Sequence, residues 1–183
     1  WIVTRTGIKE RRIAAESDTP TTLGARAAQQ ALAVAGLTPA DLDLIIVATS
    51  SPERIMPATA AMIQRELGAT GIGAFDMNAA CSGGLYALSA ATSFVRSGMF
   101  RTVLVVGTEV YSRLLDWEDR STCILFGDGA GAVIVQRGAA PTRELVAVEL
   151  GVDGSKGFDL QGDLTPRNGQ PLDNKRSEEH TSE

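Results

Sequence analysis

Histidine and cysteine are both scarce in this sequence of 183 residues. There is one histidine, His180 near the carboxyl end, and there are two cysteines, Cys81 and Cys123. Two distant cysteines without a C-x-x-C spacing form neither a disulfide framework nor a zinc site, and they are typical of a reducing compartment. Because no histidine lies inside the chain, a self-contained Cys–His–Asp catalytic system is excluded, and we expect no bound metal ion.

The sequence also has fewer basic than acidic residues, and it has no long apolar run. The chain has 17 Lys and Arg against 22 Asp and Glu, which gives a net charge of -5. Nucleic-acid binding needs a basic face that neutralises phosphates, so a nucleic-acid partner is excluded. The longest apolar runs, 44–48 and 103–106, fall far short of the ~18 residues of a membrane helix, so we expect no membrane span. No charged-then-apolar leader opens the sequence, and we expect a cytoplasmic protein.

Both ends of the sequence have an unusual composition. The chain begins at Trp1 without an initiator methionine, inside a stretch that already has an ordered pattern. Residues 176–183 are polar, have no periodicity, and match the peptide that a widely used sequencing-adapter DNA encodes. We therefore predict a chain truncated at both ends, with 176–183 an adapter-derived artefact that plays no part in the fold. A natural charged tail is the alternative.

Helical and extended patterns alternate along the chain. Apolar spacings of three and four residues, closed by Gly36, Gly68 and Gly98, predict helices over 21–35, 58–67 and 83–96. Short apolar runs predict strands over 44–48, 73–77, 101–108, 124–126, 130–136 and 145–150. This alternation predicts an α/β fold with a mostly parallel central sheet flanked by helices. We expect one structural region over 1–150 and a loop over 151–175.

Cys81 has the sequence context of a nucleophile. It follows a predicted strand and a run of small residues, and it stands where an Ala-rich helix begins. Free N–H groups and positive potential at a helix start favour a thiolate and can hold an oxyanion during acyl transfer. The alternative is a small buried hydrophobic residue, which is the common state of intracellular cysteines. Cys123, inside a predicted strand, is assigned to the core.

Residues 127–132 match the G-x-G-x-x-A pattern of dinucleotide-binding loops. In such sites the glycine-rich turn opens a helix, whereas residues 132–136 predict a strand. We therefore predict no nicotinamide site. The glycines are assigned to a tight strand connection and to close backbone packing near Cys81.

Four segments in this order resemble one enzyme family. They are Trp-Ile-Val-Thr-Arg-Thr-Gly-Ile at the start, the cysteine segment 76–83, Val-Val-Gly at 105–107, and Phe-Gly-Asp-Gly-Ala-Gly-Ala at 126–132. Together they are similar to β-ketoacyl-acyl carrier protein synthase III, and the likeness covers nearly all of 1–155. The resemblance implies the N-terminal half of a thiolase-like fold, with 151–175 leading toward a second half.

The resemblance also implies roles for five residues. Cys81 maps to the acylated nucleophile, Trp1 and Arg120 to a clamp on the CoA adenine, and Arg5 to the CoA phosphates. Met56 maps to a position that reaches the acyl pocket of the partner subunit in a homodimer. Without the family, the ordinary alternatives are a core tryptophan, solvated arginines and a locally packed methionine.

The implied activity is the first condensation of fatty acid biosynthesis. An acyl group, by preference acetyl, passes from acyl-CoA to Cys81 and is condensed with malonyl-acyl carrier protein, and no cofactor is bound permanently. The family's histidine and asparagine match no residue here, so we expect the chain alone to be inactive and strands 44–48 and 103–106 to be uncovered. Three alternatives remain: a secondary-metabolite starter synthase, a hydroxymethylglutaryl-CoA synthase-like enzyme, and a non-catalytic dimer partner.

Overall fold

The computed structural model describes residues 1–138 and 145–156. By its internal contacts the chain divides into two units, Trp1–Val148 and Glu149–Glu183. The described part of the second unit is irregular apart from a short 3-10 helix, Gly154–Lys156. The predicted loop beyond residue 156, the suspected artefact at 176–183 and His180 lie outside the described residues.

The first unit contains four α-helices and four strands among its described residues. The helices are α1 (Ile2–Thr6), α2 (Pro20–Ala35), α3 (Thr59–Leu67) and α4 (Gly83–Ser97), and the strands are β1 (Leu44–Ala48), β2 (Gly73–Met77), β3 (Thr102–Val110) and β4 (Asp128–Gln136). Short 3-10 helices occur at Pro39–Asp41, Ala80–Ser82 and Tyr111–Arg113. None of the helices in the described part of the chain is long and apolar enough to cross a membrane.

The strands form one sheet in the order β2-β1-β3-β4. β1 pairs in parallel with both β2 and β3, and β4 runs antiparallel to β3. The prediction of a mostly parallel sheet flanked by helices is therefore confirmed. Parallel pairing explains why β1 is a continuous run of buried apolar residues, because helices cover both of its faces.

The core lies on both faces of the sheet. Alternate side chains of β1 and β3, such as Ile45 and Leu104, pack with α2 and α3, while their neighbours, such as Ile46 and Val103, pack with α4. The expectation that residues 44–48 and 103–106 are uncovered is therefore wrong. The exposed apolar residues of the sheet lie instead on its outer strands, at Phe75 of β2 and Val133 of β4.

Two predicted strands do not form. In place of the strand predicted over 124–126, residues 121–125 form turns, in which the Cys123 N–H donates to the Asp119 carbonyl oxygen and the Leu125 N–H to that of Thr122. The Arg11 guanidinium donates to the carbonyl oxygens of Cys123 and Phe126. Residues 145–150 have no regular structure, and their alternating apolar side chains are exposed, as at Val146. A period-two pattern yields a strand only where a partner strand supplies the backbone hydrogen bonds, and none of the described strands pairs with this segment.

Candidate active site around Cys81

Three parallel strands end at one edge of the sheet. Ala48, the last residue of β1, pairs with Met77 at the end of β2 and with Gly107 near the end of β3. The segments that follow β1 and β2, together with the last residues of β3, therefore meet at this edge. In parallel sheets the carboxyl edge of the strands is where ligands bind. These segments contain Ser50 and Ser51 after β1, Cys81 after β2, and Glu109 near the end of β3.

Cys81 lies between β2 and α4, where the sequence predicts it. It belongs to the 3-10 turn Ala80–Ser82, and α4 begins two residues later at Gly83. Its side chain is exposed, whereas Cys123 is buried. Cys123 thus belongs to the core as predicted, although it lies in a turn and not in a strand.

The turn that carries Cys81 has a tight backbone. The Asn78 side chain accepts a hydrogen bond from the Ala80 N–H at 3.1 Å, and the Ser82 N–H donates to the Ala79 carbonyl. Ala80 has a φ of 46°, in the left-handed region where a residue with a Cβ costs about 1–2 kcal/mol. This strained alanine was not predicted, because a run of small residues in the sequence does not reveal which one takes the unusual φ.

Gly83 allows α4 to begin close against β1. A Cβ built at Gly83 would lie 3.3 Å from the Cβ of Ala48, which is tighter than ordinary packing. The small residue therefore brings the helix start, with its free N–H groups, to the edge of the sheet beside Cys81.

A cluster of hydrogen bonds around Glu109 occupies the same edge. The Glu109 carboxylate accepts hydrogen bonds from the Ser50 N–H at 2.9 Å and the Ser50 Oγ at 3.0 Å, and another from the Ser51 hydroxyl. The Ser50 Oγ also lies 2.7 Å from the hydroxyl of Tyr111. Sequence reasoning missed this cluster, although an acidic residue directly after a mainly apolar predicted strand was a usable signal.

Tyr111 is fixed at both ends of its side chain. Its ring lies against Phe126, with the ring centroids 5.3 Å apart. Burial raises the pKa of the Tyr111 phenol, the hydrogen bond with Ser50 opposes that rise, and the negative charges of Glu109 and Cys81 add to it. The folded environment thus favours the neutral form of the phenol.

Of the residues predicted to bind CoA, the structure brings Arg5 close to Trp1 but shows no described contact between Trp1 and Arg120. Trp1 is 75% exposed, which excludes a core role, and the Arg5 guanidinium lies 5.9 Å from its ring centroid. Arg120 is exposed in the loop before β4, and no described contact joins it to Trp1. Met56 is also exposed, in the loop before α3.

A cleft of about 340 Å³ lies beside α1. Its lining is mainly apolar and consists of Ile2, Val3, Ile8, Lys9, Glu10, Arg11, Ile13 and Trp117. The Arg11 guanidinium lies 5.8 Å from the Trp117 ring centroid and closes one side. Within residues 1–138 and 145–156, no group of three or more His, Cys, Asp or Glu is placed to hold a metal ion.

The glycine-rich motif has a structural role at this end of the sheet. Residues 128–136 form β4, so the motif opens a strand and not a helix, as predicted. The Asp128 carboxylate accepts hydrogen bonds from the Ala14 N–H at 2.7 Å and the Ser112 N–H at 2.8 Å. A Cβ at Gly127 would lie 3.0 Å from the Arg12 carbonyl oxygen. Close packing does occur at Gly127, but it is against the segment that follows α1 and not against Cys81, where it was predicted.

Comparison with known proteins finds similarity to one enzyme family. The family model of 3-oxoacyl-[acyl-carrier-protein (ACP)] synthase III matches residues 75–154. The β-ketoacyl-[acyl-carrier-protein] synthase III of Bordetella petrii is 54% identical over 156 residues, which are 85% of this chain and 47% of that protein. Over the residues it spans, the chain is similar to β-ketoacyl-acyl carrier protein synthase III proteins.

Solved structures of synthase III proteins share the fold described above. The Aquifex aeolicus structure is 56% identical and has a TM-score of 0.75 over 76% of this chain and 45% of that one. The Pseudomonas aeruginosa structure is 40% identical and has a TM-score of 0.83 over 92% of this chain and 53% of that one. The thiolase-like fold is thereby confirmed, and the chain spans about half the length of the curated relatives it matches. These relatives do not favour the three alternatives considered from the sequence.

Proposed function

We propose that the whole protein is a β-ketoacyl-acyl carrier protein synthase III whose nucleophile is Cys81. It takes an acyl group, by preference acetyl, from acyl-CoA and condenses it with malonyl-acyl carrier protein to start fatty acid biosynthesis. The observation that carries the proposal is the exposed position of Cys81 at the start of α4, on the edge where three parallel strands end. The similarity to synthase III proteins supports the same assignment.

The first half-reaction transfers the acyl group to sulfur. The Cys81 thiolate attacks the carbonyl carbon of the acyl-CoA thioester, and a new C–S bond forms as the bond to the CoA sulfur breaks. CoA leaves as a thiolate and takes up the proton that Cys81 released. N–H groups in the first turn of α4 lack intrahelical acceptors and can stabilise the oxyanion of the tetrahedral intermediate.

The second half-reaction forms the carbon–carbon bond. Malonyl-acyl carrier protein loses CO2, and the electron pair of the broken C–C bond becomes an enolate that attacks the acyl carbonyl on Cys81. The C–S bond then breaks, Cys81 returns as a thiolate, and the product is a β-ketoacyl-acyl carrier protein. The family's histidine and asparagine match no residue of this chain, so this step belongs to the whole protein and the 183-residue chain alone is expected to be inactive.

The same proposal includes the residues that bind CoA and shape the pocket. Trp1, Arg5 and Arg120 bind CoA, and all three are exposed in the structure. Met56, which is 79% exposed, reaches the acyl pocket of the partner subunit in a homodimer. The enzyme is cytoplasmic and needs no permanently bound cofactor, because the thioesters supply the activated carbon atoms.

Acyl-enzyme formation tests the proposal directly. The whole protein is mixed with acetyl-CoA, quenched with acid and mapped by peptide mass spectrometry. We expect one acetyl group on the peptide that contains Cys81, none in Cys81→Ala, and an unchanged amount in Cys123→Ala. Acetylation that persists in Cys81→Ala, or a wild-type protein that acquires no acetyl group, would show that the assignment is wrong.

A further inference from the structure

The Glu109 carboxylate joins the ends of β1 and β3 at the sheet edge where β2 leads to Cys81. Glu109 is the penultimate residue of β3, and its hydrogen-bond donors all come from the segment that follows β1: Thr49, Ser50 and Ser51. The Ser51 hydroxyl oxygen in turn accepts the Val110 N–H at 2.9 Å. Among the described residues Glu109 forms no ion pair, so hydrogen bonds alone balance its charge there.

The segment after β1 also contacts the strand that leads to the cysteine. The Thr49 N–H donates to the carbonyl oxygen of Met77, the last residue of β2, at 3.3 Å. Two residues separate Met77 from the 3-10 turn that carries Cys81. Glu109 is therefore connected through residues 49–51 to the end of β2, which leads into the turn that carries Cys81.

Hydrogen-bond accounting fixes the direction of the Tyr111 proton. An ionised carboxylate only accepts, so the single O–H of Ser50 is donated to Glu109. The Ser50 oxygen is then left as an acceptor, and the Tyr111 hydroxyl at 2.7 Å must be the donor. Without the charge on Glu109 this chain can run in the opposite direction, and the phenol loses its fixed orientation.

We propose that Glu109 is a positioning residue of the Cys81 site, which acts by holding Ser50 so that the Tyr111 phenol stays oriented at the edge of the sheet that carries the reacting sulfur. The inference rests on the proposed acyl transfer to Cys81. Among the described residues, no hydrogen bond joins Glu109 to Cys81. Glu109 acts on the reaction through Ser50 and Tyr111, and Phe126 supports the ring from the other side.

A double-mutant cycle on the whole protein tests the proposal. Glu109→Gln keeps the shape of the side chain and removes its charge, and Tyr111→Phe keeps the ring and removes the hydroxyl. We expect each change to slow acetylation of Cys81 by acetyl-CoA by about 10- to 100-fold, the size of effect that a misplaced group near reacting atoms produces. The double variant should be no slower than Tyr111→Phe alone, because the two residues act as one unit.

Two controls separate positioning from loss of fold. Glu66→Gln, an exposed acid on α3, should react like the wild type. Alkylation of Cys81 by iodoacetamide, a small reagent that needs no oriented neighbour, should change far less than acetylation in all variants. Effects of Glu109→Gln and Tyr111→Phe that multiply in the double variant would overturn the proposal.

A spectroscopic readout does not depend on activity. The absorbance of the phenolate, taken as the difference between each protein and its Tyr111→Phe partner, follows the ionisation of Tyr111 alone. Glu109→Gln should shift this titration to lower pH, because a nearby negative charge is removed, and an unshifted titration would overturn the proposal. A wild-type protein that is not acetylated contradicts the proposed function, whereas normal acetylation of Glu109→Gln contradicts only the positioning role.

Discussion

The carboxylate of Asp76 in β2 caps helix α3 through a hydrogen bond of 2.8 Å from the Thr59 N–H to its Oδ2. Its other oxygen accepts the Ala60 N–H at 2.7 Å. The residue at the N-cap position is Ala58, whose side chain has no acceptor. A strand residue thus satisfies the helix start that the local sequence leaves open, and its negative charge is favourable at the amino end of a helix.

The Asp76 cap predicts a specific loss of stability. Asp76→Asn should lower the free energy of unfolding by about 1 kcal/mol, because the charge and one of the two acceptors are lost. Urea denaturation of the whole protein measures this value. Glu66→Gln, on the exposed side of α3, serves as the control and should stay within about 0.5 kcal/mol of the wild type. Equal losses in the two variants would show that Asp76 does not act as a cap.

Gly127 and Gly129 give a matched pair of substitutions in one motif. A Cβ at Gly127 would press on the backbone of Arg12 at 3.0 Å, whereas a Cβ at Gly129 would meet nothing within 4 Å. Gly127→Ala should therefore cost about 1–3 kcal/mol in the free energy of unfolding, as overpacking commonly does. Gly129→Ala should cost little. Urea denaturation midpoints of the two variants check the prediction, and a reversed order would contradict the packing seen at Gly127.

The raised pKa of Tyr111 predicts a loss of stability in alkali. Above the ordinary tyrosine value of 10.0, the unfolded chain releases the phenol proton while the folded protein retains it. The unfolded state then binds fewer protons, so the free energy of unfolding falls as pH rises through that range. Tyr111→Phe should lack this part of the decline. Chemical denaturation of both proteins at several pH values from neutral to alkaline checks it, and parallel curves would contradict the assignment.

The two cysteines should differ in their reactivity. Cys81 is exposed, whereas Cys123 is 6% exposed and its sulfur lies 3.7 Å from the Trp117 carbonyl oxygen. Iodoacetamide should therefore alkylate Cys81 much faster than Cys123 in the native protein, and at similar rates in denaturant. Peptide mapping at timed intervals measures both rates. Equal labelling in the native protein would contradict the nucleophile assignment.

The proposed role of Arg120 in CoA binding predicts a substrate-dependent defect. Arg120→Ala should lower kcat/KM for acetyl-CoA about tenfold, the order expected for loss of a cation–π contact with the adenine. A short acetyl thioester without the nucleotide should be used as well as by the wild type. Arg137→Ala, another exposed arginine, is the control. Equal losses with both thioesters would assign Arg120 to the structure instead.

Local sequence was sufficient for the elements whose signals lie within a few residues. The predicted bounds of β1 and β2 agree with the structure, because turn residues flank each short strand. Helices α2, α3 and α4 end at glycines in the left-handed conformation, as predicted from Gly36, Gly68 and Gly98. The junction that carries Cys81 was predictable for the same reason, since a strand, small residues and a helix follow each other directly.

The arrangement around that cysteine depends on residues far apart in the chain. Glu109 accepts a hydrogen bond from Ser50, which is 59 positions away in the sequence. The Arg11 guanidinium donates to the carbonyl oxygens of Cys123 and Phe126, in a segment whose sequence pattern predicts a strand. The local sequence does not reveal the partner in either contact, because a carboxylate or a guanidinium bonds to whichever donors or acceptors the folded chain brings within about 3 Å. The periodicity of side chains therefore sets the helices, the strands and the place of the cysteine. The order and direction of the strands in the sheet decide which distant residues contact each other around the cysteine, since hydrogen bonds act only at contact distance.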